Sequence, residues 1–171
     1  MSSFIAGPYT ATYNAVSIGL TTQGFTLSHE FFKRLITADQ FGDGPVNAIY
    51  RGRAQFIEFE SLEAGNAAIH NLMDPYASVV GGLATPLTMG AIGQFDVDVA
   101  FPDGSTCAGA ARELVLTKIA GSCATPATVT LPLSIIAEGY PIRQLYAQEL
   151  RTIPLRMRVY PSATGFFGAI T

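Results

Sequence analysis

Charge is scarce in this chain: Asp, Glu, Lys and Arg together make up 13% of its 171 residues, against about 25% in an ordinary soluble domain. With hydrophobic residues at 49%, a free monomer would show broad neutral or apolar patches, so the composition points to a protein that covers its surface by assembling. Cysteine is nearly missing, at 2 residues, which excludes a disulfide-dense secreted module. The high apolar share and the lack of a Gly-X-Y period exclude disordered and collagen-like chains. Positive charge is thin as well. The net charge is -3, the pI is near 5.3, and no Lys and Arg cluster forms the basic stripe that tight duplex binding needs.

Signal-like and membrane-like runs are also lacking. Met1 to Ser28 has no charged side chain, yet a secretory signal needs a positive start before a compact apolar run, and this stretch is broken by Gly7, Pro8, Asn14 and Gly19. The uncharged run between Asp74 and Asp96 contains Gly81, Gly82, Pro86, Gly90 and Gly93 with little Leu or Ile, a composition that argues against a membrane-spanning helix. No phosphate-binding G-x-x-x-x-G-K-[ST] loop and no G-x-S-x-G elbow occurs. Cys107 and Cys123 have no CxxC partner or neighbouring His, so they are expected as buried or half-buried thiols rather than zinc ligands.

What is present is mostly strand-like alternation. Phe25, Leu27, His29, Phe31, Lys33 and Leu35 fall on one side of a long strand, and Thr26, Ser28, Glu30, Phe32, Arg34 and Ile36 on the other. Asp39 to Asn47 reads as a loop from its Gly and Pro, but Phe41, Val46, Ile49 and Tyr50 are unusually apolar for solvated residues and call for a partner surface. Further strands are expected at Arg53 to Leu62, Phe95 to Phe101, Glu113 to Ile119, Thr128 to Ile136 and Leu155 to Tyr160. Glu63 to Met73 switches to helical spacing, with Ala64, Ala68, Ile69, Leu72 and Met73 in a stripe and Pro75 beyond. Tyr140 to Leu150 fits either a short helix or a connection. The fold class expected is mainly β, an antiparallel sandwich or distorted barrel with one flanking α-helix, in a single domain over residues 1–171.

Few groups suggest chemistry. Glu58 with Glu60, and Asp96 with Asp98, lie two apart on expected strands and so share a face. Without a calcium-loop pattern, such pairs read as a solvated or channel-facing acidic stripe rather than a catalytic or metal pair. His70 and Asp74, four apart on the expected helix, read as a surface pair. Arg151, Arg156 and Arg158 form the densest positive group; Arg156 and Arg158, on one strand face, could touch a phosphate backbone, but ion pairing with Asp or Glu between subunits is the commoner use of such residues. No catalytic residue, metal or cofactor is expected. From another class, a small thiol hydrolase using Cys107 or Cys123 with His29 or His70 is the competing reading.

Thr37 to Ala64, TADQFGDGPVNAIYRGRAQFIEFESLEA, resembles the signature region of phage tail-tube proteins, through Gly42, Pro45, Val46-Asn47, Ile49-Tyr50, Gly52 and the strand Arg53 to Glu60. The opening GPYTATYNAVSIGLTTQGFTLS is similar to that family's first hairpin, with Tyr13-Asn14 at its turn. Where the family often has Asp after Val, this chain has Asn47. The resemblance implies a homo-hexameric ring that stacks into a hollow tube for viral DNA, in a virion tail assembled in the host cytoplasm. It also implies a tape-measure protein in the channel, with a sheath or tail terminator as further partners. Within that frame Phe41, Val46, Ile49 and Tyr50 are expected at the subunit or ring interface, and Glu58/Glu60 or Asp96/Asp98 toward the lumen. The structural alternatives are a capsid-decorating protein, which would close into trimers, and a secretion-tube subunit.

Overall fold

A computed structural model of the chain describes residues 8–37, 44–62, 69, 72–73, 75–76, 93–121, 127–141 and 152–171. Tyr9–Tyr13 (β1) turns at Asn14 and Ala15, at φ 50° and 64°, into Val16–Ser17 (β2). Two consecutive positive-φ residues make the tight hairpin whose twist suits the flanking strands. Thr21–Thr37 (β3) and Pro45–Ser61 (β4), 17 residues each, form one antiparallel pair. Val99–Ala100 (β5) and Thr106–Cys107 (β6) make a small separate hairpin. Arg112–Lys118 (β7), Thr128–Ile136 (β8), Ile153–Tyr160 (β9) and Ala169–Ile170 (β10) complete the chain. The main sheet runs β2-β1-β7-β8-β9-β4-β3, with β10 also on β8, and every pairing in it is antiparallel.

β8 lets this one sheet close over a core. Its first half, Val129 to Leu131, pairs with β7 and carries β10, while Leu133 to Ile136 pairs with β9. Between the two halves the register slips: Leu114 faces Leu131, but Arg112 faces Ser134, so β8 holds one extra residue there. Pro132 occupies this bulge, where its missing N–H costs no ladder bond and the strand can bend. The bend brings Ala11, Tyr13, Leu114 and Leu116 of one half against Ile57, Phe59, Ile153, Leu155, Met157 and Val159 of the other in one buried cluster. β9 shows the driving pattern plainly, since alternate residues Ile153, Leu155, Met157 and Val159 are all within 1% of complete burial.

The architecture is thus mainly β, antiparallel and sandwich-like, as the alternation implied. No helix is among the described elements. Of Glu63 to Met73 only Ile69, Leu72 and Met73 are described; Ile69 and Leu72 are buried in the main cluster, with Met73 packed against it. Phe95 to Phe101 is not the strand its alternation suggested: only Val99 and Ala100 are extended partners there. Around it Ala110 N–H donates to the Phe95 carbonyl and Ala111 N–H to that of Asp96, which holds the segment outside a regular ladder. Part of the expected loop, Pro45 to Asn47, is strand. His70, Asp74, Cys123, Arg151 and most of Tyr140 to Leu150 lie outside the described residues.

Tyr13 ties the two halves together, its hydroxyl donating to the Ser134 carbonyl at 3.2 Å beside the β8 bend. Burial pushes its phenol up to about 12, against the opposing pull of Arg112. A phenol that keeps its proton longer when folded leaves stability untouched below pH 10. Between 10 and 12 the unfolded chain ionises first, and about 2 to 3 kcal/mol is lost. Urea unfolding followed from about pH 9 to about pH 12 is expected to show this decline, and a smaller one in Tyr13→Phe.

Candidate assembly surfaces

β9 accompanies β4 only from Gln55 to Ser61. Beyond Gln55, β3 and β4 continue as a two-stranded arm. From Glu30 to Thr37 and from Pro45 to Arg51 every residue is exposed, over a length of about 25 Å at 3.4 Å per residue. The cross-strand register puts Phe31, Lys33, Leu35, Ala48, Tyr50 and Arg53 on the face that continues the core, and Phe32, Arg34, Ile36, Asn47 and Ile49 on the other. Both faces are apolar and open to solvent: Phe31 and Leu35 are 60% exposed, Tyr50 57% and Ile49 55%. Val46 is exposed near the far end, and Phe41 lies outside the described residues. A register slip between Phe32 and Lys33 leaves Arg51 as a bulge beside Gly52, whose φ of 138° only glycine adopts readily, so the arm twists as it leaves the body. Lys33, Arg34 and Arg51 have no carboxylate partner among the described residues.

The sheet face turned away from the core carries the second group. Since Ile57 and Phe59 point into the core, Phe56, Glu58 and Glu60 lie on the other face next to Arg156 and Arg158 of β9, with Phe56 itself buried beside Ala54 and Ala137. Arg156 lies over the Phe56 ring at 4.2 Å. Its Nη2 donates to Glu30 at 3.3 Å, and its Nε sits 3.1 Å from Glu58 as an ion pair without hydrogen-bond alignment. Arg158 pairs with Glu138 and lies 5.2 Å from the Tyr160 ring centre. Glu60 accepts the Thr22 hydroxyl at 2.8 Å. Thr26, Glu58, Glu60, Tyr140 and Pro154 line a shallow groove of about 290 Å³ on this side. Arg156 and Arg158 thus each have a carboxylate partner within the chain.

Asp96 and Asp98 are placed differently from Glu58 and Glu60. The Asp96 carboxylate accepts the Tyr160 hydroxyl at 2.6 Å and the Tyr76 hydroxyl on its other oxygen. Burial first, then the bond to Asp96, raises both phenols, Tyr160 to about 12. Asp98 accepts the Gly109 N–H at 2.7 Å. Gly109 is required there, because a Cβ would lie 2.4 Å from the Val97 carbonyl carbon. Arg112 donates to the Gly109 and Ala111 carbonyls on the same turn. These carboxylates clasp the chain internally instead of forming one strand face.

Sequence reading missed Tyr76 and Tyr160, which come from 20 and 64 positions away from Asp96, and no local pattern marks such partners. It also did not single out the exposed Phe31, Phe32 and Leu35. Their signal was there, because large apolar residues fall on both parities of this strand. Cys107, expected buried, is a free exposed thiol. Among the described residues no group of three or more His, Cys, Asp or Glu could hold a metal ion, and no described helix is long and apolar enough to cross a membrane.

No protein-family model matches the chain, and no curated protein does. Among solved structures it is similar to Hcp1 from Flavobacterium johnsoniae, at 10% identity and a TM-score of 0.43, covering 88% of this chain and 89% of that one. It is also similar to the cap of the anti-feeding prophage, its tube terminating cap, at 9% identity and a TM-score of 0.47, covering 100% and 94%. Likenesses this distant assign no function.

The Asp96 clasp can be tested by denaturation. Tyr160→Phe removes one of two donors and is expected to cost about 1 kcal/mol, whereas Asp96→Ala strands both hydroxyls and is expected to cost about 3 kcal/mol. Urea midpoints with unchanged slopes check both values; equal effects would show that the second hydroxyl contributes nothing.

Proposed function

We propose that this protein is a tube subunit of the tail-tube type, whose copies form hexameric rings that stack into a hollow tube for passage of viral DNA. The observation that carries this reading is the arm: a β-ribbon apolar on both faces cannot be satisfied by its own body and needs a surface above and below it. A second copy of the chain supplies one in a repeating assembly. β3 adds to the case, since among the described residues it pairs only with β4 and its 17-residue outer edge has no other strand, the kind of edge that ring closure covers. Repetition of one heterologous contact then gives an open stack rather than a closed pair. The low charge of the whole chain and the resemblance over Thr37 to Ala64 point the same way.

In this arrangement Phe41, Val46, Ile49 and Tyr50, with Phe31, Phe32 and Leu35, lie at the contact between subunits or rings. The Glu58/Glu60 face turns toward the channel; Asp96 and Asp98 are already engaged within the fold. Tape-measure, sheath and terminator proteins are the partners that such a tube would have, and the virion tail its place. No catalytic step is assigned. A secretion tube would share the assembly and differ in cargo, and a decorating protein would stop at closed trimers.

Negative-stain electron microscopy of the purified protein at two concentrations, with its mass from light scattering, tests the proposal. Stacked rings with a central hole are expected. Phe41→Ala/Tyr50→Ala and Phe31→Asp are expected to shorten or abolish stacks while leaving the β circular dichroism of the body unchanged. Tubes of normal length and yield from these variants would remove the arm from the interface, and a compact monomer at both concentrations would refute the tube.

A further inference from the structure

Arg156 and Arg158 present a problem for a wall past which a polyanion slides. Arginine is the residue most suited to holding phosphate, through its planar fork of donors. The two stand two residues apart on one face of β9, about 6.8 Å along the strand, which is twice the axial spacing of about 3.4 Å between phosphates on one DNA strand. Left open, they would form a phosphate grip.

They are not left open. Each guanidinium is laid on an aromatic ring, Arg156 on Phe56 and Arg158 against Tyr160, so its donors leave sideways along the edges. Those edges meet Glu30 and Glu58 in one case and Glu138 in the other. The carboxylates come from three different segments, β3, β4 and the turn after β8, and converge only on this face. With Glu60 the face holds four acids against two arginines, a balance of -2.

We propose that Glu30, Glu58 and Glu138 are guard carboxylates: they withhold Arg156 and Arg158 from a passing nucleic-acid backbone, so that the arginines cover aromatic surface without binding phosphate. This rests on the tube reading with that face toward the channel. Each surface ion pair is weak in stability terms, and the guard role does not depend on strength, because it requires only that carboxylates stand against the guanidinium edges and the local potential be negative.

The test is fluorescence anisotropy of a fluorescein-labelled short DNA duplex against dispersed protein near physiological ionic strength. The parent is expected to leave the duplex free. E30Q/E58Q/E138Q is expected to bind about tenfold or more tightly, with affinity falling against salt at a logarithmic slope of about -2 for two phosphates. Adding R156Q/R158Q should restore the parent's behaviour, and E60Q, which touches neither arginine, should leave it unchanged. E138Q alone frees Arg158 and is expected to bind with about half that slope; it carries the test if the triple variant does not fold. No tightening in either variant, or tightening that survives loss of both arginines, overturns the proposal. Ring formation is scored separately by microscopy, so a failed guard and a failed tube give different results.

Discussion

β4 has two neighbours over part of its length and one over the rest, and the remainder of the molecule is arranged around that change. From Gln55 to Ser61 it lies between β3 and β9, with Ile57 and Phe59 driven into the core. Past Gln55 the β9 ladder has ended; Arg53 still lies over the Phe167 ring at 4.5 Å, and from Arg51 outward the same alternation continues among exposed residues. Among the described residues the outer part of the arm is held by the β3–β4 ladder, and an isolated two-stranded ribbon is marginal in water. A second surface over its apolar residues therefore stabilises the arm as well as joining the copies. The bulge at Arg51 and Gly52 sits at this boundary, where added twist sets the direction in which the arm departs.

The small charge complement is distributed in a way that suits this division. In the body, carboxylates are engaged locally: Asp96 with two phenols, Asp98 with a backbone N–H, Glu30, Glu58 and Glu138 with arginines. Asp103 accepts the Ser105 hydroxyl and N–H, and these bonds hold its carboxyl below the ordinary range. On the arm, Lys33, Arg34 and Arg51 stand among apolar side chains. The arm therefore carries both apolar area and positive charge on one contact surface.

Much of the β framework was legible from local pattern. Thr128 to Ile136 coincides with β8, and the alternation from Phe25 to Thr37 assigns both faces of β3 correctly, because side-chain direction in a strand depends only on parity. Pattern misled at Phe95 to Phe101, where parity is strict but Asp96 and Asp98 are drawn to Tyr76, Tyr160 and Gly109, and the backbone follows those bonds. Cys107 went astray for a related reason. A lone thiol is usually inside, and nothing nearby signals that a two-residue strand at the surface will carry it.

Composition and a period of two residues already make this chain β-rich, poor in charge, in need of company, and apolar around Ile49 and Tyr50. Which of the alternating faces are covered emerges from the folded chain alone. Burial depends on whether a neighbouring strand reaches that far, and β9 stops opposite Gln55. Folding likewise decided that Arg156 and Arg158 meet Glu30, Glu58 and Glu138, and that Asp96 is bound by two tyrosines. Such partners are distant in the chain and come together only when β8 bends at Pro132 and brings the two halves of the sheet face to face.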